Sequence, residues 1–167
     1  MNIEIKILEP ENITERCLKW YSDPDVVRFS DNQYRKFSME SQCEYVATCL
    51  RDSTMDLYGI FYDDLHVGNL SITDLDPIHS RAEISYMIGE RSYWGKGAAT
   101  LAISQIIELA VSKYQLNKLF AGVAEDNYGS RKVLEKNGFA TEGRRINHVF
   151  YEGCYHNQID YGLILTS

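Results

Sequence analysis

Two glycines separated by one residue, Gly95 and Gly97, stand between a strand-like segment and a long apolar helix that begins at Ala98. Glycine lets the backbone approach a ligand closely, and the first N–H groups of a helix attract phosphate oxygens. Lys96 adds a mobile positive charge. The pattern therefore predicts a grip for the pyrophosphate of a nucleotide-containing cofactor, against the alternative of a tight turn without a ligand.

This turn matches neither of the two best-known glycine-rich phosphate motifs. The spacing G-x-G-x-x-G is absent, as is the P-loop pattern G-x-x-x-x-G-K-[ST]. The elements around the turn must therefore decide between the two interpretations.

Those elements alternate between strands and helices. Residues 82–88 read as a strand, and residues 98–114 read as a helix with an apolar face on more than one side. Residues 118–123 form the next predicted strand, and a helix over 127–137 is closed by Gly138. With further strands at both ends, the order predicts a mixed α/β or α+β fold, one domain over residues 1–167 and about four helices.

Composition excludes several classes of protein. The formal net charge of −7 argues against nucleic-acid binding, and no apolar run is long enough for a membrane span. The four cysteines show no C-x-x-C spacing, so we expect reduced thiols, no metal site and a cytoplasmic protein. The acidic balance suits an amine substrate, although acidic surfaces also serve solubility alone.

Two segments carry a resemblance to a known family. The run A-E-I-S-Y-M-I followed by Y-W-G-K-G-A-A-T, up to Thr100, resembles the acetyl-CoA loop of the GNAT acetyltransferase superfamily. Residues 117–139 resemble that family's next strand and helix. Among the branches of the family, the sequence resembles the RimJ/RimL-type branch most. The resemblance implies one GNAT-like domain with a mostly antiparallel sheet splayed at the cofactor strand, and acetyl-CoA as co-substrate.

The same resemblance implies the cofactor-binding residues. Gly97 and Ala99 fill the small positions of the loop, while Trp94 stands where the family has Gln or Arg. The backbone of Met87 and Ile88 would pair with the pantetheine arm as a further strand does. The full expected set also contains the remaining loop residues and two positions of the later helix: Gly95, Lys96, Ala98, Thr100, Asn127 and Ser130.

Acetyl transfer to an amine needs a base and a donor to the leaving thiolate. Glu83 is the predicted base, and its alternative is a strand residue that is solvated or forms a salt bridge, for instance with Arg81. Ser130 is the predicted donor, and its alternative is a helix residue that bonds its own backbone. The family's usual tyrosine acid is replaced here by Leu134.

Two further positions bear on the chemistry. Val149 stands where the resemblance to RimL-like enzymes implies a glutamate as general acid. His148 beside it is a further candidate for that role. The polar, aromatic segment over residues 26–37 is predicted to be a surface loop near the substrate.

The resulting hypothesis is an N-acetyltransferase in which a neutral amine attacks the thioester directly in a ternary complex. The acceptor is a protein N-terminus or a small, polyamine-like amine, and the protein is a monomer or homodimer. Two alternatives stay open: an amino sugar nucleotide as acceptor, and a catalytically silent acyl-CoA-binding module.

Overall fold

The computed structural model describes residues 2–165, which form one seven-stranded sheet in the order β1-β2-β3-β4-β5-β7-β6. Every neighbouring pair is antiparallel except β4 and β5. The strands are β1 (Ile3–Ile7), β2 (Asp56–Tyr62), β3 (Leu65–Asp76), β4 (Arg81–Ile88), β5 (Lys118–Ala124), β6 (Ala140–Tyr151) and β7 (Cys154–Ile164).

Five α-helices accompany the sheet within residues 2–165, one more than the sequence predicted. They are α1 (Glu15–Ser22), α2 (Pro24–Val27), α3 (Met39–Cys49), α4 (Ala98–Ser112) and α5 (Tyr128–Lys136). The additional helix is the four-residue α2. It forms because Pro24 suits the first helical position and Asp23 caps it by accepting from the Asp25 N–H at 3.0 Å.

The main core lies between the sheet and α4. Its apolar side chains Ala102, Ile103, Ile106 and Ala110 are fully buried. They pack with alternate strand residues such as Ile84, because alternate side chains of a strand share one face. A second, smaller cluster lies against α3 and includes Val46 and Leu57. Helices thus cover both faces of the sheet.

The predicted splay is confirmed at the parallel pair. β4 and β5 are paired only from Arg81↔Lys118 to Glu83↔Phe120. Beyond Glu83 the two strands separate, and residues 84–88 have no strand partner on the β5 side. A V-shaped cleft therefore opens in the middle of the sheet.

Within residues 2–165, no helix is long and apolar enough to cross a bilayer.

Candidate active site

The cleft between β4 and β5 continues into a large cavity of about 1070 Å³. One wall is the free half of β4, and the opposite wall is residues 121–124 of β5. The turn before α4 and one side of α5 close one end, while residues between α1 and α3 line the other. We call these the cofactor end and the acceptor end.

The exposed edge of β4 runs through Met87 and Ile88. These residues pair with Asn69 and Gly68 of β3, so the peptide groups that point the other way face the cleft. An unpaired edge of this kind can bond an extended arm that carries amide groups. The Ile88 carbonyl also accepts from the Trp94 Nε1 at 2.8 Å, which ties the following turn to the end of β4.

The glycine turn has the geometry that a bound phosphate requires. Gly95 and Gly97 adopt φ of +69° and +86°, which L side chains rarely adopt. A Cβ at either position would meet nothing within 4 Å, and both glycines line the cleft. Gly97 is the N-cap of α4, and the first N–H groups of the helix lack intrahelical acceptors.

The other loop residues named from the sequence take different positions. Ala98 is fully buried under the turn, while Ala99 and Thr100 are half-buried and line the cleft. Lys96 is exposed, and its Nζ lies 5.7 Å from the centre of the Tyr93 ring. The turn therefore offers a ligand chiefly its backbone N–H groups, with Lys96 exposed beside it.

Helix α5 presents Asn127 and Ser130 to the cleft. Asn127 caps the helix, because its Oδ1 accepts from the Ser130 N–H at 3.2 Å. The Ser130 Oγ lies 2.7 Å from the Tyr86 hydroxyl, which also donates to the Ser130 carbonyl at 2.9 Å. Burial raises the pKa of the Tyr86 hydroxyl well above its usual value, so this group keeps its proton at any physiological pH.

Glu83 lies at the point where β4 and β5 separate. Its side chain leaves the same face of β4 as those of Ser85 and Met87, which both line the cleft. Glu83 lies two residues before Ser85 and is not itself part of the lining. Burial raises the pKa of the Glu83 carboxyl, and Asp74 and Asp160 raise it further, whereas Arg145 lowers it. A carboxyl with a raised pKa is a better proton acceptor near neutral pH.

Within residues 2–165, Glu83 forms no salt bridge with Arg81. Arg81 lies 3.6 Å from Asp76 instead, since it pairs with that residue across the strand irregularity of β3. His148 is exposed and contacts Arg145 at 3.4 Å without lining the cleft, whereas Val149 does line it. Leu134 is fully buried in the main core.

Sequence reasoning missed several residues of the cleft. Tyr86 is one of them, because its contact with α5 joins residues 44 positions apart. The basic side chains of the lining were not singled out, although the spacing of Lys132 and Lys136 places both on one face of α5. The six basic lining residues are Arg28, Arg35, Lys36, Arg91, Lys132 and Lys136, against one carboxylate, Asp25.

Comparison with known proteins decides the family. A sequence profile described as "Acetyltransferase (GNAT) domain" matches residues 4–140. The chain belongs to the GNAT acetyltransferase family. This GNAT chain is 29% identical over 177 residues to "Putative ribosomal N-acetyltransferase YdaF" of Bacillus subtilis, an alignment that covers 98% of this chain and 91% of that one. It is also 26% identical to the spermidine N(1)-acetyltransferase of Escherichia coli K12, covering 84% of this chain and 69% of that enzyme.

Solved structures share the fold of this GNAT chain. A crystal structure of a "Probable acetyltransferase" superimposes with a TM-score of 0.87 at 27% identity, over 97% of this chain and 92% of that one. RimL, an α-N-protein acetyltransferase of ribosomal L7/L12 solved with coenzyme A, superimposes with a TM-score of 0.88 at 20% identity, over 99% and 95%. The GNAT chain is thus an N-acetyltransferase by family, and its relatives are named for ribosomal-protein or spermidine acetylation.

Proposed function

We propose that this protein, as one domain over residues 1–167, transfers the acetyl group of acetyl-CoA directly to a primary amine in a ternary complex. One observation carries the proposal: a free strand edge leads straight to an open glycine turn at a helix N-terminus. The edge suits an extended, amide-bearing arm, and the turn suits a pyrophosphate.

The residues around the cleft fit that cofactor. Backbone groups of Met87 and Ile88 would hold the arm, and N–H groups from Gly95 to Thr100 would hold the pyrophosphate. Lys132 and Lys136 are exposed on α5 and line the cleft. Their charges are therefore available to phosphate groups. Acetyl-CoA, when bound, supplies the activated acetyl thioester.

Glu83 acts as the base in this proposal. Its carboxyl lies one step beyond Ser85 on the face that lines the cleft, so it accepts the proton of the incoming amine through a bridging water. The raised pKa of Glu83 brings its basicity closer to that required at neutral pH.

Tyr86 and Ser130 act together as the donor. The single proton of the Tyr86 hydroxyl can be donated to the Ser130 carbonyl or to the Ser130 Oγ. When it turns from the carbonyl to the Oγ, the Ser130 hydroxyl proton is free to point into the cleft at the departing sulfur. This arrangement replaces the family's usual tyrosine, which is absent at Leu134.

The charges at the acceptor end select between acceptor classes. Arg35 and Lys36 line the cleft and form no ion pair within residues 2–165, whereas Asp25, the carboxylate of the lining, is paired with Arg91 at 2.7 Å. A polyamine would meet like charge there. An amine that also carries a carboxylate or phosphate would meet opposite charge. We therefore favour a protein N-terminus with acidic residues near the amine, with the amino sugar nucleotide as second candidate on the same observation.

The test is a panel of amines in a thiol-release assay with acetyl-CoA. The panel contains an acidic N-terminal peptide, the same peptide with its carboxylates converted to amides, spermidine and an amino sugar nucleotide. We expect the highest kcat/KM for the acidic peptide and the lowest for spermidine. Spermidine as the best substrate would overturn the acceptor assignment. Acetyl-CoA binding in calorimetry without turnover of any amine would favour the silent module instead.

Direct transfer has a separate test. The enzyme is incubated with acetyl-CoA without acceptor, and the intact protein is then weighed by mass spectrometry. We expect no acetylated protein, and stoichiometric acetylation that disappears when the acceptor is added would contradict direct transfer.

A further inference from the structure

A cysteine, a histidine and an aspartate form a hydrogen-bonded chain at the turn between β6 and β7. The Cys154 Sγ lies 3.1 Å from the His156 Nε2, and the His156 Nδ1 lies 2.8 Å from the Asp126 Oδ2. A thiol, a base and an orienting carboxylate in this order are the arrangement that activates a nucleophilic cysteine. We propose that Cys154 is a reactive thiol that exchanges with low-molecular-weight disulfides and becomes S-thiolated.

The fold explains why these three side chains meet. Cys154 and His156 are two residues apart on β7, so their side chains leave the same face of the strand. Asp126 reaches them because the loop after β5 is pinned to β7, with the Glu125 N–H donating to the Asn157 carbonyl at 2.8 Å. The relative positions of Cys154, His156 and Asp126 are therefore fixed by backbone contacts and not only by bonds among their side chains.

The surroundings of His156 favour its protonated form. The pKa of the His156 imidazole is raised, chiefly by the hydrogen bond to Asp126. Partial burial lowers this pKa, but the Tyr151 carbonyl and Glu152 raise it further. Arg28, which follows α2, forms a 2.7 Å ion pair with Glu152. An imidazolium beside a thiol stabilises the thiolate, which is the species that attacks a disulfide.

Access distinguishes Cys154 from the other three cysteines. Cys154 is exposed, whereas Cys17 and Cys49 are buried and Cys43 is half-buried. Cys17 also lies close to a histidine, with its Sγ 3.3 Å from the His66 Nδ1, but both are in the interior. A histidine neighbour and an open approach therefore coincide at Cys154.

The proposed exchange balances without any further reagent. The Cys154 thiolate attacks one sulfur of the small disulfide, a new S–S bond forms, and the S–S bond of the reagent breaks. Cys154 is oxidised, and the other half of the reagent is reduced and leaves as a thiolate that takes a proton from His156. The adduct sits three residues from Tyr151, whose ring lines the cleft and whose carbonyl faces His156 at 3.1 Å.

The test is the exchange rate of the reduced, folded protein with a chromogenic aromatic disulfide at pH 6. An ordinary thiol with a pKa near 8.5 is almost fully protonated there. We expect one equivalent to react rapidly, with the adduct assigned to Cys154 by peptide mass spectrometry. His156→Gln should slow this equivalent by about tenfold or more. Asp126→Asn should give an intermediate rate.

Two variants are the controls. Cys154→Ser should abolish the rapid equivalent, and Cys43→Ser should retain it. Thermal melts monitored by circular dichroism verify that His156→Gln is folded, because an unfolded variant would expose all of its cysteines. The proposal is overturned if the rapid equivalent maps to another cysteine, or if folded His156→Gln reacts as fast as the wild-type protein.

Discussion

Tyr86 of β4 and Ser130 of α5 lie on opposite sides of the cleft, and their hydroxyl oxygens are 2.7 Å apart. This bridge crosses the sheet at the place where β4 and β5 have separated. It links the strand that would hold the cofactor arm to the helix that would lie nearest the reacting sulfur. The chemistry proposed for the donor therefore belongs to a pair of residues rather than to Ser130 alone.

Replacing either hydroxyl should lower kcat. We expect Tyr86→Phe and Ser130→Ala each to reduce kcat by about 10–100-fold, since a positioned proton donor contributes on this order. KM for both substrates should change by less than about threefold. The kcat of the double variant should be little lower than that of the less active single variant, because the effects of groups that act as a unit are not additive.

Steady-state kinetics on the four proteins provide the measurement, and Tyr62→Phe provides the control. The Tyr62 hydroxyl has no hydrogen-bond partner within residues 2–165, and its ring packs on Tyr93. Independent, multiplicative losses in the double variant would show that Tyr86 and Ser130 do not work through each other.

A side chain at Gly97 should weaken cofactor binding specifically. In Gly97→Ala the Cβ enters open space on the cleft side, and the φ of +86° costs about 1–2 kcal/mol of stability for a residue with a Cβ. We expect the Kd for acetyl-CoA, measured by calorimetry, to rise by about tenfold or more, because the Cβ blocks the approach of phosphate to the backbone.

Gly153→Ala is the matched control. Gly153 has a φ of +77° with nothing within 4 Å of its Cβ position, but it lies in the β6–β7 turn. The two variants should lose similar stability in thermal melts, and Gly97→Ala alone should lose affinity. An equal effect of both on the Kd would mean that the turn before α4 does not bind the phosphates.

The sequence predicted the parts of the site that are local in the chain. The strand, the glycine turn and the helix from 98 onwards are consecutive, and their capping and periodicity are visible in the residues themselves. The start of α3 is local in the same sense, since Ser38 and Ser41 form reciprocal side-chain bonds of 3.0 and 3.1 Å across three residues.

The sequence did not predict the contacts that join distant segments. No periodicity pairs Tyr86 with Ser130, or brings Asp126 beside Cys154 and His156, because these contacts depend on how the sheet is ordered. The overall charge of −7 was also misleading for the cleft, whose lining is basic. Net charge is a sum over the surface, whereas recognition depends on the charges at one site.

Glu83 should show its raised pKa in both activity and stability. Activity requires the carboxylate, so kcat/KM of the wild-type enzyme should rise with pH through a pKa above the ordinary value near 4.5. Glu83→Gln should lower kcat by about 100-fold and remove that limb from the pH profile. An unchanged pH profile in the variant would exclude Glu83 as the base.

The stability effect has the opposite sign. Because folding raises the pKa of Glu83, the folded state binds more protons between the unfolded and folded values, and stability falls as pH rises through that window. Glu83→Gln does not show this loss of stability, because glutamine does not ionise. Its Tm should match that of the wild type below about pH 4 and exceed it at pH 7. A lower Tm at pH 7 would mean that the Glu83 carboxylate makes a stabilising contact.

Reversing the charges at the acceptor end should change the preference among acceptors while leaving the cofactor end intact. Arg35 and Lys36 line the cleft and have no acidic partner within residues 2–165. In the double variant Arg35→Glu with Lys36→Glu, kcat/KM for the acidic peptide should fall by about tenfold, because each exposed charge pair is worth up to about 1 kcal/mol.

The other acceptors of this double variant separate charge recognition from shape. The kcat/KM for the amide form of the peptide should fall by less than about threefold, and that for spermidine should rise. The double variant Lys19→Glu with Arg51→Glu changes two exposed residues outside the cleft lining and shifts the net charge by the same amount. It is the control and should leave the ratios unchanged. The difference between the two peptides should shrink at high salt, since these side chains are exposed. Equal losses for both peptides would show that the two basic residues shape the cleft but do not recognise charge on the acceptor.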